Sequence, residues 1–298
     1  MDTAFGLVAK PEALDARYLY HFCRHFDFEK LNTTCTIPSL TRKNIEGILL
    51  RLPSFERQKE MTAQFDSILK QITLARQQLS SLDDLVKSRF VEVFGDPVDG
   101  KKWPFVRLED LCTKLGSGAT PRGGKTAYKA EGVPLVRSMN VHNGRFVWKD
   151  LACIDDEQAA KLEGVTLMKG DVLLNITGAS VARSCLLPDE LAGGRVNQHV
   201  SIVRVDQKRM LPVLLNTVLI SDSYQRLLLN GSRAAGATRE AITKEDLKRM
   251  TVPLPPLELQ QEFADFVAQV DKSRFVVLNE KISRIQLISR RIAHRYSR

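Results

Sequence analysis

Apolar positions fall into two contrasting patterns along the chain. Phe65, Ile68, Ile72, Ala75, Leu79, Leu82 and Val86 recur at alternating spacings of three and four. That heptad rhythm predicts a long helix over 54–94 whose apolar seam meets another helix. Gly95-Asp96-Pro97 stops it. A less regular stripe, Val267, Val270, Leu278, Ile282, Ile285 and Ile292, predicts a second long helix over 256–298. Between them the period shortens. Val133–Val141, Gly144–Asp150, Gly170–Gly178 and Asn197–Val205 are short β-rich runs punctuated by Gly, Pro, Asn and Asp. Residues 104–206 therefore read as a compact β-rich domain. Residues 108–116 (LEDLCTKLG) look helical, as do 210–229, and a polar glycine loop covers 230–242.

The two long helices belong to an internal repeat. Residues 36–60 and 238–262 align without a gap at an offset of 202, with seven identities: Thr36/Thr238, Thr41/Thr243, Leu52/Leu254, Pro53/Pro255, Glu56/Glu258, Gln58/Gln260 and Glu60/Glu262. Each copy runs Thr cap, short helix, extended apolar segment, Pro, Glu-x-Gln-x-Glu, long helix. Thr41 and Thr243 suit helix N-caps, and Thr243 with Asp246 resembles a capping box. Pro53 and Pro255 precede a helix start, where Glu56 and Glu258 meet the positive end of the macrodipole. Upstream, 13–26 parallels 211–224. Residues 1–53 thus match the distal part of the unit that 104–255 holds whole. The repeat makes an antiparallel pairing of the two long helices the expected arrangement.

Composition narrows the function. The chain has 298 residues, 43% hydrophobic and 27% charged, enough to bury a core. Lys plus Arg exceed Asp plus Glu by nine, which favours an anionic partner, nucleic acid before membrane. The excess is uneven: residues 112–206 carry twelve basic against ten acidic side chains, and 207–298 sixteen against nine. No apolar run reaches the length of a spanning helix and no signal-peptide order opens the chain, so the expected location is cytoplasmic, away from membranes. Cys23, Cys35, Cys112, Cys153 and Cys185 form no CxxC pair, which supports neither a zinc site nor a disulfide framework. Asp155-Asp156-Glu157 are adjacent and suit a solvated turn. His21 and His25 lie four apart with no third ligand nearby. No catalytic or metal site is expected, and the chain reads as a non-enzyme.

The ordered motifs resemble the specificity subunits of type I restriction–modification systems. They are Gly-x-Gly-x-Thr-Pro at 116–121, the strand at 133–141, LMKGDVLLNITGAS at 167–180, RVNQHVSIVRV at 195–205, the GATREAI loop and VPLPPLELQQEF at 252–263. The resemblance implies an α+β chain: one β-rich globular target-recognition domain (104–255) plus two long helices (54–94 and 256–298) forming an antiparallel coiled coil. Residues 1–53 become the distal tail of a truncated first recognition domain. It implies double-stranded DNA, methyltransferase (M) subunits and restriction (R) subunits as partners, with self-dimerisation or a second specificity fragment to complete a two-part reader. Such a chain carries no cofactor; S-adenosylmethionine, ATP and Mg²⁺ belong to the partners.

Basic, Asn and Gln side chains in glycine loops and at strand ends are then the candidate DNA contacts: Arg122, Lys125, Arg137, Asn140, Arg183, Asn197, Gln198, Arg233 and Arg239. Lys125 suits a phosphate contact in a mobile loop, and Arg137, leaving a strand, a bidentate contact with guanine. Asn140 and Asn197 can equally cap turns. The coiled-coil seam comprises Phe65, Ile68, Ile72, Leu79, Leu82 and Val86. The basic end of the second helix suits a solvated face, a docking face or a DNA-backbone contact alike. Two other functions remain open: a nucleotide-binding enzyme using the loop 119–126, which loosely fits a phosphate-loop pattern, and a coiled-coil assembly protein without DNA specificity.

Overall fold

The computed structural model describes residues 6–31, 40–121, 123–233 and 241–296, the side chains of Lys125, 231–233 and 280–296 excepted. The chain divides into two compact units, residues 1–81 with 273–298 and residues 82–272.

The first unit opens with α1 (Ala16–His25), whose N-cap Asp15 accepts from the Tyr18 N–H. Thr41 caps α2 (Arg42–Glu46) by accepting from the Asn44 N–H, and α3 (Phe55–Phe94) follows. Gln58, in the first turns of α3, is fully buried. Its Nε2 donates to the Ala13 and Pro53 carbonyls, each at 2.9 Å, and its Oε1 accepts from the Asp15 N–H at 2.8 Å. One buried amide thereby fixes α1 to the start of α3. His21, also buried, sets its Nε2 2.9 Å from Asp66 Oδ1 and packs 5.3 Å from the Phe65 ring. The seam positions Phe65, Ile68, Ile72 and Leu79 are half-buried.

In the second unit, β1 (Phe105–Arg107) leads through one short turn of helix, α4 (Leu108–Leu111), into β2 (Cys112–Ser117). The helix expected over 108–116 therefore ends after four residues. Pairing of β2 with a buried central strand overrides local propensity. Next come β3 (Val133–Val136), the hairpin β4 (Val141–His142) and β5 (Arg145–Phe146), and β6 (Ala152–Ile154). Asp155 then caps α5 (Asp156–Lys161), so the acidic triplet opens a helix. Strands β7 (Val172–Asn175), β8 (Ser184–Leu186), β9 (Arg195–Val196) and β10 (Val200–Val205) complete the domain's sheets. One sheet is antiparallel in the order β2-β10-β7-β8; a second, β6-β3-β9, pairs β3 with β9 in parallel. Arg204 and Asp171 form an ion pair at 2.7 Å beneath the first sheet, with Asp171 fully buried.

Helices α6 (Pro212–Ile220) and α7 (Asp222–Arg233) follow, and Leu214, Leu215, Val218 and Leu219 of α6 are buried in the same core as β7 and β10. Thr243 forms the expected capping box with Asp246 at the start of α8 (Lys244–Arg249). Strand β11 (Thr251–Pro253) pairs with β1, placing Phe105 opposite Pro253, so chain entry and exit lie side by side. The last helix, α9 (Leu257–Tyr296), leaves from there.

Gln260 of α9 repeats the latch of Gln58. It is fully buried; its Nε2 donates to Arg209 O at 2.9 Å and Pro255 O at 2.8 Å, and its Oε1 accepts from Leu211 N at 2.8 Å. Both donors to the amide oxygen, Asp15 and Leu211, are helix N-caps. Asp15 thus corresponds to Leu211, an offset of 196. The sequence pairing of 13–26 with 211–224 is out of register by two residues, because few identities in these segments fix the gap.

Within the second unit the end of α3 packs against the start of α9. Buried Phe90 and Phe94 meet Phe263 with ring centroids 5.9 and 5.4 Å apart. Val86 and Val267 join this core, and Leu82 is half-buried. The seam of α9 continues through Phe263, Val267, Val270, Arg274 and Val277, all at least half-buried and spaced four, three, four, three. Leu278, expected on the seam, is 45% exposed because it falls one position past that stripe. Ile282, Ile285 and Ile292 lie outside the described side chains.

Candidate nucleic-acid interface

A glycine with no room for a side chain starts the site. A Cβ on Gly118 would lie 1.7 Å from the Val196 carbonyl oxygen. Glycine alone lets the end of β2 lie flush on the 196–198 turn, where Gly118 N donates to Asn197 O at 3.2 Å. The close approach is to the chain's own backbone. It brings Thr120 beside Gln198, whose Oε1 accepts from the Thr120 hydroxyl.

Two buried asparagines shape the neighbouring turns. Asn197 Oδ1 accepts from the His199 N–H at 3.1 Å, an Asx turn that leaves Gln198 exposed at its tip. Asn140 is fully buried. Its Oδ1 accepts from Arg137 N at 3.1 Å, and its Nδ2 donates to Val147 O and Lys149 O at 2.9 and 3.2 Å. Asn175, at the end of β7, donates to Ser138 O at 2.9 Å and pins the 3-10 turn Ser138–Asn140 over that strand. Beyond Asn175 the chain turns through Thr177 and Gly178, the latter at φ +78°, and Thr177 Oγ1 lies 2.5 Å from His199 Nδ1.

These turns enclose a cavity of about 640 Å³ lined by Ser138, Met139, Thr177, Arg183, Gln198 and His199, among others. The Arg183 guanidinium makes no hydrogen bond or ion pair with any described residue, so its charge is available to a ligand. Ala241 bridges to Thr177 at the cavity's edge. Burial pushes the Cys112 and Cys185 thiols each up to about 12, which favours their protonated form at neutral pH. The loop 119–126 is entered by β2, a strand where a helix was expected. It leaves through a four-residue 3-10 turn, Gly124–Ala127, which offers no helix N-terminus for a nucleotide's phosphates.

The family model of the type I restriction modification DNA specificity domain matches residues 100–287. The chain belongs to that family. The match runs from just before β1 into α9 and contains the whole cavity. The specificity subunit of the type I restriction enzyme EcoBI of Escherichia coli is 22% identical over 285 residues, covering 85% of this chain and 58% of that protein. The MjaVIII specificity subunit of Methanocaldococcus jannaschii is 24% identical over 304 residues, covering 94% and 69%. Among solved structures, the type I restriction–modification S subunit from M. genitalium superposes with a TM-score of 0.56 at 11% identity, over 94% of this chain and 72% of that one. The chain thus spans about three-fifths of the length of its E. coli relative.

In this specificity domain the candidate contacts separate. Arg183 and Gln198 share the cavity. Asn140 and Asn197 are both buried and serve turns: the whole amide of Asn140 is bonded to backbone, and the Oδ1 of Asn197 holds its Asx turn. Arg137 is half-buried, donates through Nη2 to Asp150 O and stacks 5.0 Å over the Tyr128 ring. That anchoring removes the free two-pronged fork a bidentate guanine contact needs. Lys125 sits in the Gly124–Ala127 turn with its side chain outside the described set, as is that of Arg233 at the end of α7; Arg122 and Arg239 lie outside the described residues. Thr120, Thr177 and His199 were missed. Their one sequence signal was membership of the motifs at 116–121, 167–180 and 195–205, and a hydroxyl or imidazole alone does not announce a polar chain.

Proposed function

We propose that the chain is the DNA-reading subunit of a type I restriction–modification complex and carries no chemistry of its own. Membership of the DNA specificity family over 100–287 carries this reading. The cavity supports it with Arg183, whose guanidinium has no partner among the described residues, for phosphate or base oxygen and an exposed Gln198 for a base edge. One recognition unit serves one half of a two-part duplex site; a second, from another copy or a second specificity fragment, serves the other half. The long helices dock methyltransferase subunits, and off-seam apolar positions such as Leu74, Leu85, Val91 and Phe275, all exposed, offer surface for it. Restriction subunits complete the assembly. S-adenosylmethionine, ATP and Mg²⁺ are bound by these partners, and the complex works in the cytoplasm. Co-expression with a methyltransferase subunit of the same family tests the assignment. Co-purification and target-dependent DNA methylation are the expected results; a chain that neither binds that subunit nor alters its methylation is not its specificity subunit.

A further inference from the structure

Gln198, exposed at the tip of its turn, has its side-chain amide engaged from both sides. Gln198 Oε1 accepts from the Thr120 hydroxyl, and Gln198 Nε2 lies 3.1 Å from His199 Nε2. An amide nitrogen only donates, so the ring Nε2 accepts and the ring proton sits on Nδ1, facing Thr177 Oγ1 at 2.5 Å. Thr120, Gln198, His199 and Thr177 thus form one polar chain along the cavity rim. The backbone beneath it is held by the Asn197 Asx turn and by the contact only Gly118 permits.

A primary amide has two acceptor sites on oxygen and two N–H groups. With one of each engaged, Gln198 keeps one lone pair and one N–H for a further partner. Among major-groove base edges, adenine alone offers a donor beside an acceptor, N6–H and N7. Guanine presents two acceptors there, cytosine a donor, and thymine an acceptor beside a methyl group. We infer that Gln198 reads an adenine in the half-site through N7 and N6, with Thr120 and His199 as positioning residues that lock its amide. This rests on the DNA-reading function proposed above and names the base that the site takes.

The test uses the full chain purified with its methyltransferase subunits and a pool of randomised duplexes. Selection should return adenine at a position where 7-deaza-adenine, which lacks the N7 acceptor, weakens binding by about ten- to a hundredfold. For Gln198→Ala the adenine preference at that position should vanish and 7-deaza-adenine should cost nothing further, with preferences at other positions intact. Thr120→Val and His199→Ala should blunt the same preference, and Thr120→Ser and His199→Gln, which keep a donor and an acceptor, should restore it. Gln198→Ala that retains every preference, or that weakens all positions alike with a lowered melting temperature, overturns the inference while DNA reading stands. A wild-type complex that binds all duplexes equally overturns the DNA-reading function, and this inference with it.

Discussion

Two buried glutamines, 202 positions apart, are the residues on which the repeat turns. Each satisfies one backbone N–H and two carbonyls that would otherwise be buried without partners. Replacing Gln260 by Ala should cost about 2–3 kcal/mol, since each unsatisfied buried polar group costs about 1–3 kcal/mol. Gln58→Ala should cost a similar amount at its own site. Chemical denaturation of each variant measures this, and a loss below about 0.5 kcal/mol would show that the amide is not the fastener. The identity of this pair was legible in the alignment; its role was not, because an exposed Gln and a buried one are spelled alike. The same blindness affected Asn140 and Asn197, whose type fits both base reading and turn making. Burial decides between those uses, and burial is a tertiary property.

At the level of elements, heptad spacing located both long helices and the α3 seam, because a periodic stripe is a local signal. It misplaced Leu278, because apolar residues at 275, 276 and 278 blur the stripe of α9. The contrast is testable. Phe263→Ala removes a fully buried ring between Phe90 and Phe94 and should cost about 3–5 kcal/mol. Leu278→Ala, off the seam, should change stability by no more than about 0.5 kcal/mol. Thermal melts of the two variants decide, and equal losses would refute this account of the α9 seam. A second test concerns the tie between α1 and α3. A hydrogen bond from Arg17 and another from His21 hold the Asp66 carboxyl below the usual carboxylate range. The ionised form is therefore favoured in the folded state, and the stabilisation is present at neutral pH and lost as pH falls through the acidic range. Asp66→Asn should flatten that part of the stability–pH curve. An unchanged acid limb would remove Asp66 from the tie.

For the whole molecule, the order of motifs was more informative than any motif alone. The loop 119–126, read by itself, loosely fits a phosphate-loop pattern, and the overlapping Gly-x-Gly-x-Thr-Pro at 116–121 points to a recognition loop only in company with the other motifs. The fold shows why the glycine is there: it clears the Val196 carbonyl and delivers Thr120 to Gln198. Strand order and cavity were beyond the sequence, since β2 reaches β10 across some 90 residues of chain. Function at this scale follows from charge made available at one place. Arg183→Ala should weaken binding to cognate and random duplex and lower the log–log salt slope by about one unit, as for one lost phosphate contact. An unchanged slope would take Arg183 off the DNA. The most direct measurement is equilibrium binding of the chain, co-purified with the methyltransferase subunit proposed as its partner, to randomised duplexes at fixed salt. A sequence-reading subunit predicts an enriched block of bases for the recognition unit and a cognate affinity about a thousandfold or more above that for random duplex. Equal affinity for every duplex would contradict it.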